Sequence, residues 1–378
     1  GYPIDTTSNA CTITLPASAS VGDEIIFTDY AGTWGTNNIT LDSNGLKYQG
    51  KEDTYAVKYS TDDQVLHIVY IDTTEGWMPI LDKAVTDDVP VNLNTEGIFG
   101  FGTTGSNVSM TNLVSNLGVI GTDVTGVGTA RYNLAACEYG EDKGIFGFGY
   151  ASSEVSMTNL VSNAGVVATD VTGVGTARDG IAACRYGGDK GLFGFGRAGA
   201  GNETAATNKV SNAGVVATDT TGVGTVRRLL AACEYGYDKG IFGYGLDPSG
   251  AHSTTNKVSN TGVVATDTTG VGTARNQLAA CGYGEDKGIF GFGYSDDYVG
   301  MTNLVSNVGV VASDVSAVGT ARYNPAATQY GQDKGIFAYG LTGSSVSMSN
   351  LVSNAGVVAS DVTGVGTARR LLKACSFN

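Results

Sequence analysis

The chain has 378 residues and a formal net charge of −14, from 36 acidic and 22 basic side chains. At that length two domains are the starting expectation, because one hydrophobic core stops growing near ~250–300 residues. An acidic chain without a Lys/Arg cluster argues against nucleic acid or an anionic membrane as partner, no apolar run reaches the ~18 residues of a membrane span, and 56 glycines beside 6 prolines exclude collagen-like or disordered low complexity.

Residues 1–95 do not repeat, and they hold most of the charge: 14 acidic against 4 basic, net −10, with 22 against 18, net −4, in the rest. The start, Gly1-Tyr2-Pro3-Ile4-Asp5, has neither a charged leader nor an apolar stretch, so it is not expected to be a signal peptide. Lacking Met, it reads as a processed product or a fragment. Apolar and polar residues alternate in Cys11-Thr12-Ile13-Thr14-Leu15, Glu24-Ile25-Ile26-Phe27, Asn38-Ile39-Thr40-Leu41 and Val65-Leu66-His67-Ile68-Val69-Tyr70. Turn clusters such as Asp42-Ser43-Asn44-Gly45 separate them, so the segment is expected to form an antiparallel β sandwich or prism. Residues 82–95, with Asp87-Asp88 and Pro90, read as a linker.

The same segment resembles a small β domain of bacteriophage tail-fibre-like proteins. The likeness runs through Ile4-Asp5-Thr6-Thr7-Ser8, Thr12 to Ser18, Val21-Gly22-Asp23, Asp29 to Thr33, Thr36-Asn37-Asn38, Gln49-Gly50 and Gly76-Trp77. It implies an attachment domain in a virion or fibre, a virion or extracellular location, other fibre subunits as partners, and a homotrimer formed through residues 1–95.

From Glu96 a phrase of the form K-G-I-F-G-F-G recurs, starting at Glu96, Lys143, Lys190, Lys239, Lys287 and Lys334, at intervals of 47, 47, 49, 48 and 47 residues. A fixed period of this size marks stacked supersecondary units. One unit divides into four expected strands, 145–150, within 155–162, 165–170 and 178–186, and four short strands in such a period make a propeller blade. The first copy lacks the A-R-x-x-x-A-A-C strand ahead of it, where Asn92 to Thr95 stand, while the last copy ends in that strand, Ala368-Arg369 through Ala374-Cys375. Closure removes two exposed sheet edges. The expected fold is therefore all-β: a six-bladed β-propeller over 96–378, closed by its C-terminal strand and preceded by the small β domain.

Arg131, then Leu134-Ala135-Ala136-Cys137, a Gly turn and Ile145-Phe146-Gly147-Phe148-Gly149 stand in the order of the innermost strand and its neighbour in kelch-type propellers. The repeat resembles that family across all six units, with its paired glycines written as Gly-Phe-Gly or Gly-Tyr-Gly and without its late Trp. With a period of two, Phe99 and Phe101 are expected on one face of their strand, with Ile98 and two glycines on the other.

Asp123, Asp170, Asp219, Asp267, Asp314 and Asp361 each precede an Arg by eight residues: Arg131, Arg178, Arg227, Arg275, Arg322 and Arg369. The simplest reading is a structural ion pair made six times, in a turn or between blades; the functional alternative is an arginine ring contributing to a polar binding surface. Cys137, Cys184, Cys233, Cys281 and Cys375 share one position, filled by Thr328 in the fifth case. They are expected as buried free thiols, since sixfold neighbours lie beyond disulfide reach.

Catalytic and cofactor signatures are absent: no H-E-x-x-H, Walker loop, dinucleotide fingerprint or C-x-x-C pair occurs, and no metal or cofactor is expected. What varies is the loop after each K-G-I-F-G-F-G strand, at 103–109, 151–156, 197–207, 246–255, 294–300 and 341–347, and a second set after each repeated Arg. Antiparallel connection brings both sets to one rim. The candidate ligand-binding residues there are Arg197, Asn202 and Glu203; Asp247 and His252; Asp296, Asp297 and Tyr298; and Tyr132, Arg228 and Tyr323. Diverse loops on a repeated scaffold point to a non-enzymatic recognition protein, with a host-surface glycan or protein as its partner. A polysaccharide hydrolase or lyase on the same rim, and a purely structural fibre subunit, are the alternatives.

Overall fold

The structure, a computed structural model, describes residues 1–53, 55–80, 87–90, 94–316 and 318–378. It divides into two compact units, Gly1–Val91 and Asn92–Asn378, and the described residues are all-β, without a helix.

The first unit has two four-stranded sheets. One orders β1 (Tyr2–Ile4), β3 (Glu24–Asp29), β6 (Val65–Asp72) and β7 (Gly76–Pro79); the other orders β2 (Cys11–Thr14), β4 (Ile39–Asp42), β5 (Tyr55–Tyr59) and β8 (Asp87–Pro90). One apolar cluster draws on both, including Phe27, Leu66 and Ile68 from the first and Ile39, Leu41, Val57 and Tyr59 from the second, with Trp34 and Trp77 fully buried. The strands are not all antiparallel, as the alternation led us to expect. β1 pairs with β3, and β2 with β4, in parallel. The chain crosses to the opposite sheet between them, so each strand returns beside its partner in the same direction. The expected linker also needs correction: Asp87–Pro90 is a strand paired with β5, while 82–86 and 91–93 lie outside the described residues.

The second unit has six three-stranded sheets. In five of them an inner, a middle and an outer strand follow in sequence; in the second sheet these are Ala135–Tyr139, Lys143–Gly147 and Thr158–Val161. The first sheet is built from both ends of the unit. Its middle strand, Glu96–Gly100, pairs outward with Thr111–Val114 and inward with Lys373–Phe377, with Cys375 opposite Ile98 and Ala374 opposite Phe99.

The expected strand at 165–170 does not form as one. Its segment touches the outer strand only at Val167 opposite Val161 and Val171 opposite Thr158. Between these points the Asn159 side chain takes the place of a ladder, donating to Ala168 O (3.0 Å) and Asp170 Oδ1 (2.9 Å). The same asparagine recurs in every sheet, fully buried.

The aromatic residues are also arranged differently from the period-two expectation. Phe101 has φ +64°, and so do its counterparts within a few degrees, Phe148 at +60° and Tyr339 at +63°. This left-handed residue reverses the alternation, so Phe99 packs on Tyr339 of the sixth sheet (5.4 Å) and Phe101 on Phe146 of the second (5.2 Å). Each aromatic pair thus sends one ring to each neighbouring sheet. The glycines make room for them: a Cβ on Gly147 would lie 2.7 Å from Phe193 Cζ, and one on Gly144 would lie 2.4 Å from Cys375 Sγ.

Two sets of main-chain hydrogen bonds pass from sheet to sheet. At one end Gly180 N–H donates to Asn133 O, Leu229 to Gly180, Gln277 to Leu229, Asn324 to Gln277, Leu371 to Asn324 and Asn133 to Leu371, at 2.7–3.3 Å. At the other, Gly140 donates to Asp189 O, and the series continues through Gly187, Gly236, Gly284 and Gly331 to Asn378, which donates to Asp142 O at 3.0 Å. Each series returns to the sheet where it began.

Candidate functional site

The repeated charged residues are structural, but not in the pairing that their spacing suggested. Arg131 does not pair with Asp123, eight residues before it. It lies 3.8 Å from Asp170, on the outer edge of its own sheet, and Arg369 likewise finds Asp123, so the last strand is tied to the first sheet. Arg131 donates through Nε to Phe148 O and through Nη2 to Asn159 Oδ1, and its guanidinium lies 4.3 Å from the centre of the Phe101 ring in the preceding sheet. Arg178, Arg227, Arg275, Arg322 and Arg369 repeat the ring contact at 4.0–4.9 Å. All six arginine side chains are 0% exposed, so they form no binding surface. Burial alone would raise the Asp170 pKa; the hydrogen bonds from Thr129 and Asn159, with the Arg131 charge, outweigh it and hold the carboxyl below its ordinary value. Gly128, at φ +81°, is required there because a Cβ would lie 2.5 Å from both Asp170 Oδ1 and Asn159 Nδ2.

The five repeat cysteines are buried and unbridged, and burial pushes their thiols up, Cys281 to about 12. His67 lies in the first unit, 3.2 Å from Glu24 Oε2.

The variable loops lie together at one end of each sheet. Tyr132 bridges to Tyr150, Asp179 to Arg197, Arg228 to Leu246, Asn276 to Tyr294, Tyr323 to Leu341 and Thr103 to Arg370. Much of the charge expected to meet a ligand is already paired. Arg197 forms a two-pronged contact with Asp179 (3.0 and 3.2 Å), Arg228 lies 3.1 Å from Glu203 across two sheets, and His252 Nε2 lies 3.0 Å from Asp247 Oδ2. Glu203 is itself only 6% exposed. The Asp247 pKa falls to about 2: burial opposes this, but hydrogen bonds from Ser249 and the nearby His252 prevail. Asn202 is exposed on its turn.

The aromatic residues of the rim are arranged otherwise. In the fifth sheet the middle and outer strands run on as the longest hairpin, Lys287–Ser295 and Asp297–Val305, turning on Asp296 at φ +62°. On it Tyr298 stacks against Tyr323 (centroids 5.0 Å, planes 23° apart), and Tyr294 lies 5.8 Å from Tyr323 and 6.3 Å from Tyr298. Tyr294 is 36% exposed, and Asp296 and Asp297 are exposed at the tip. Tyr132 makes a smaller pair with Tyr150, at 5.4 Å. The sequence reading singled out Tyr298 and Tyr323 but missed Tyr294 and Tyr150; departure from the repeat at those positions was the available signal. Flat apolar faces bearing hydroxyls, beside exposed carboxylates of which Asp297 also accepts from Tyr298 N–H (2.7 Å), can stack on the C–H face of a sugar ring and accept hydrogen bonds from its hydroxyls.

No protein-family model matches the chain, and no curated protein matches it.

Proposed function

We propose that this chain is a non-enzymatic recognition protein whose second unit, a six-bladed kelch-like β-propeller closed by its C-terminal strand, binds a host-surface glycan at the variable rim. The propeller reading is supported by six like sheets joined through repeated aromatic pairs, and by Lys373–Phe377 pairing with Glu96–Gly100. The carrying observation for function is the Tyr294, Tyr298 and Tyr323 cluster, a partly exposed aromatic surface formed by two residues of the longest hairpin and one from the next sheet. The charges elsewhere on the rim bond to each other, which favours the tyrosine cluster over the 197–207 loop as the place of contact. On this reading the setting is a phage-like fibre or tail tip, outside the cell, with the first unit as its attachment domain.

Glycan-array binding by the wild-type chain and by Tyr298→Ala and Tyr323→Ala tests it. Each truncation removes one stacking face and should weaken binding at least tenfold, about 1.4 kcal/mol, while lowering the melting temperature by no more than about 2 °C, the shift of about 1 kcal/mol in a large unit. Unchanged binding, or no binding by the wild type to any glycan or host cell, overturns the reading. Release of reducing ends from a bound polysaccharide would replace it with a hydrolase.

A further inference from the structure

The six inner strands line a chamber of about 40 Å³ whose wall is eleven alanines and one lysine, Lys373. Five inner strands carry alanine at this position, the first being Ala135; the closing strand writes Leu372-Lys373-Ala374-Cys375 instead. The chamber admits roughly two or three water-sized species. Among the described residues Lys373 forms no ion pair, and burial lowers its amine to about 8. The acids nearest the axis are engaged: Glu138 Oε1 accepts from Ser376 N–H and Oγ–H (2.9 and 2.8 Å), and Glu234 lies 3.7 Å from Arg185.

The wall also supplies main-chain donors. Thr158, opposite Gly147, turns its N–H outward to Val171 O (3.2 Å). Ladder bonds alternate along an antiparallel pair, so Phe146 exchanges with Asn159, while Ile145 and Gly147 exchange with Cys137 and Ala135. Ala136 is left with its N–H at the free inner edge, and the same registers leave the N–H groups of Ala183, Ala232, Ala280, Ala327 and Ala374 there. The strands all run from the variable rim inward, so these N–H groups form one tier on the Lys373 side and their carbonyls the next. Lys373 is half-buried; a partly desolvated ammonium without a counter-charge is costly, and converging main-chain N–H groups favour an anion.

We propose that this chamber binds one small monovalent anion, of halide size, held by Lys373 Nζ and the tier of alanine N–H groups. The site is separate from the rim and rests on the closed ring only for the shared level of those N–H groups.

Bromide is the probe. Crystals of the full chain soaked in sodium bromide should show an anomalous peak in contact with Lys373 Nζ, and Lys373→Ala should lose it. That variant carries the residue of the five other strands, so the ring is kept, and its melting temperature checks this. In solution, NMR titration of the Lys373 amine in bromide against gluconate at matched ionic strength should raise its pKa by about one unit, a tenfold change in protonation ratio. A chamber holding only water, a peak retained in Lys373→Ala (an adventitious ion only) or an unshifted titration overturns the proposal. Tyr298→Ala should leave the bromide site unaltered, which separates this outcome from any failure at the rim.

Discussion

Replacing Phe377 by alanine tests whether the last strand is part of the core. Phe377 ends the strand Lys373–Phe377, which pairs with Glu96–Gly100. Here its ring is 0% exposed and lies in one cluster with Ile98, Phe101, Phe146, Val161 and Val167, residues of the first two sheets. A Cβ on Gly165 would lie 2.6 Å from Phe377 Cζ, which shows how tightly the ring is held. Truncating a buried Phe removes its transfer free energy and leaves a cavity, together about 3–5 kcal/mol. Total stabilities are about 5–15 kcal/mol, so this one change should remove a large share. At roughly 2 °C per kcal/mol for a large unit, the melting temperature should fall by about 6–10 °C. Denaturant and thermal unfolding measure it, with Val357→Ala as the control, since Val357 is 65% exposed and should change stability by no more than about 0.5 kcal/mol. A loss below about 1 kcal/mol for Phe377→Ala would refute the proposed closure.

Deleting residues 370–378 should expose the Glu96–Gly100 edge and give aggregation or a large drop in melting temperature; a fully stable truncation contradicts the ring. Gly144→Ala places a Cβ 2.4 Å from Cys375 Sγ and should cost about 1–3 kcal/mol, part of it recovered in the double variant with Cys375→Ala; additive losses in the cycle would count against the contact. Asn159→Leu leaves the Arg131 guanidinium and Ala168 O without their partner and should cost about 3 kcal/mol in denaturant unfolding. The six repeat aspartates have folded pKa values below their unfolded value near ~3.9, so their stabilisation is complete above that pH and is lost as pH falls through the folded values. Stability measured from pH 6 downward should therefore hold to about 4 and then decline, and a flat profile to about 2 would exclude this contribution. The thiols of Cys137, Cys184, Cys233, Cys281 and Cys375, raised by burial, should resist iodoacetamide at pH 8 until the protein unfolds.

Periodicity made the all-β class legible, because copies of one phrase must solve one packing problem alike. It did not show that Arg131 passes over Asp123 to reach Asp170. A spacing along the chain says which residues recur, whereas the partner depends on which strand returns to the same sheet. Nor did alternation show that Phe99 and Phe101 face different sheets, since the left-handed residue at Phe101 breaks it. At the rim, residue type marked Tyr298 and Tyr323, but only the fold brought them together with Tyr294.

The sequence by itself determined what is local and repeated: strands, turns, small residues where sheets meet, and one departure, Lys373, among the inner alanines. Tertiary structure alone decided which charges are spent on each other, which rings pack together at the sheet ends, and that Lys373 lies among inner-strand alanines without an ion pair among the described residues. The physical reason is that hydrogen-bond and charge satisfaction are properties of neighbours in space, and in this chain such neighbours can be 282 residues apart, as are Asn94 and Ser376.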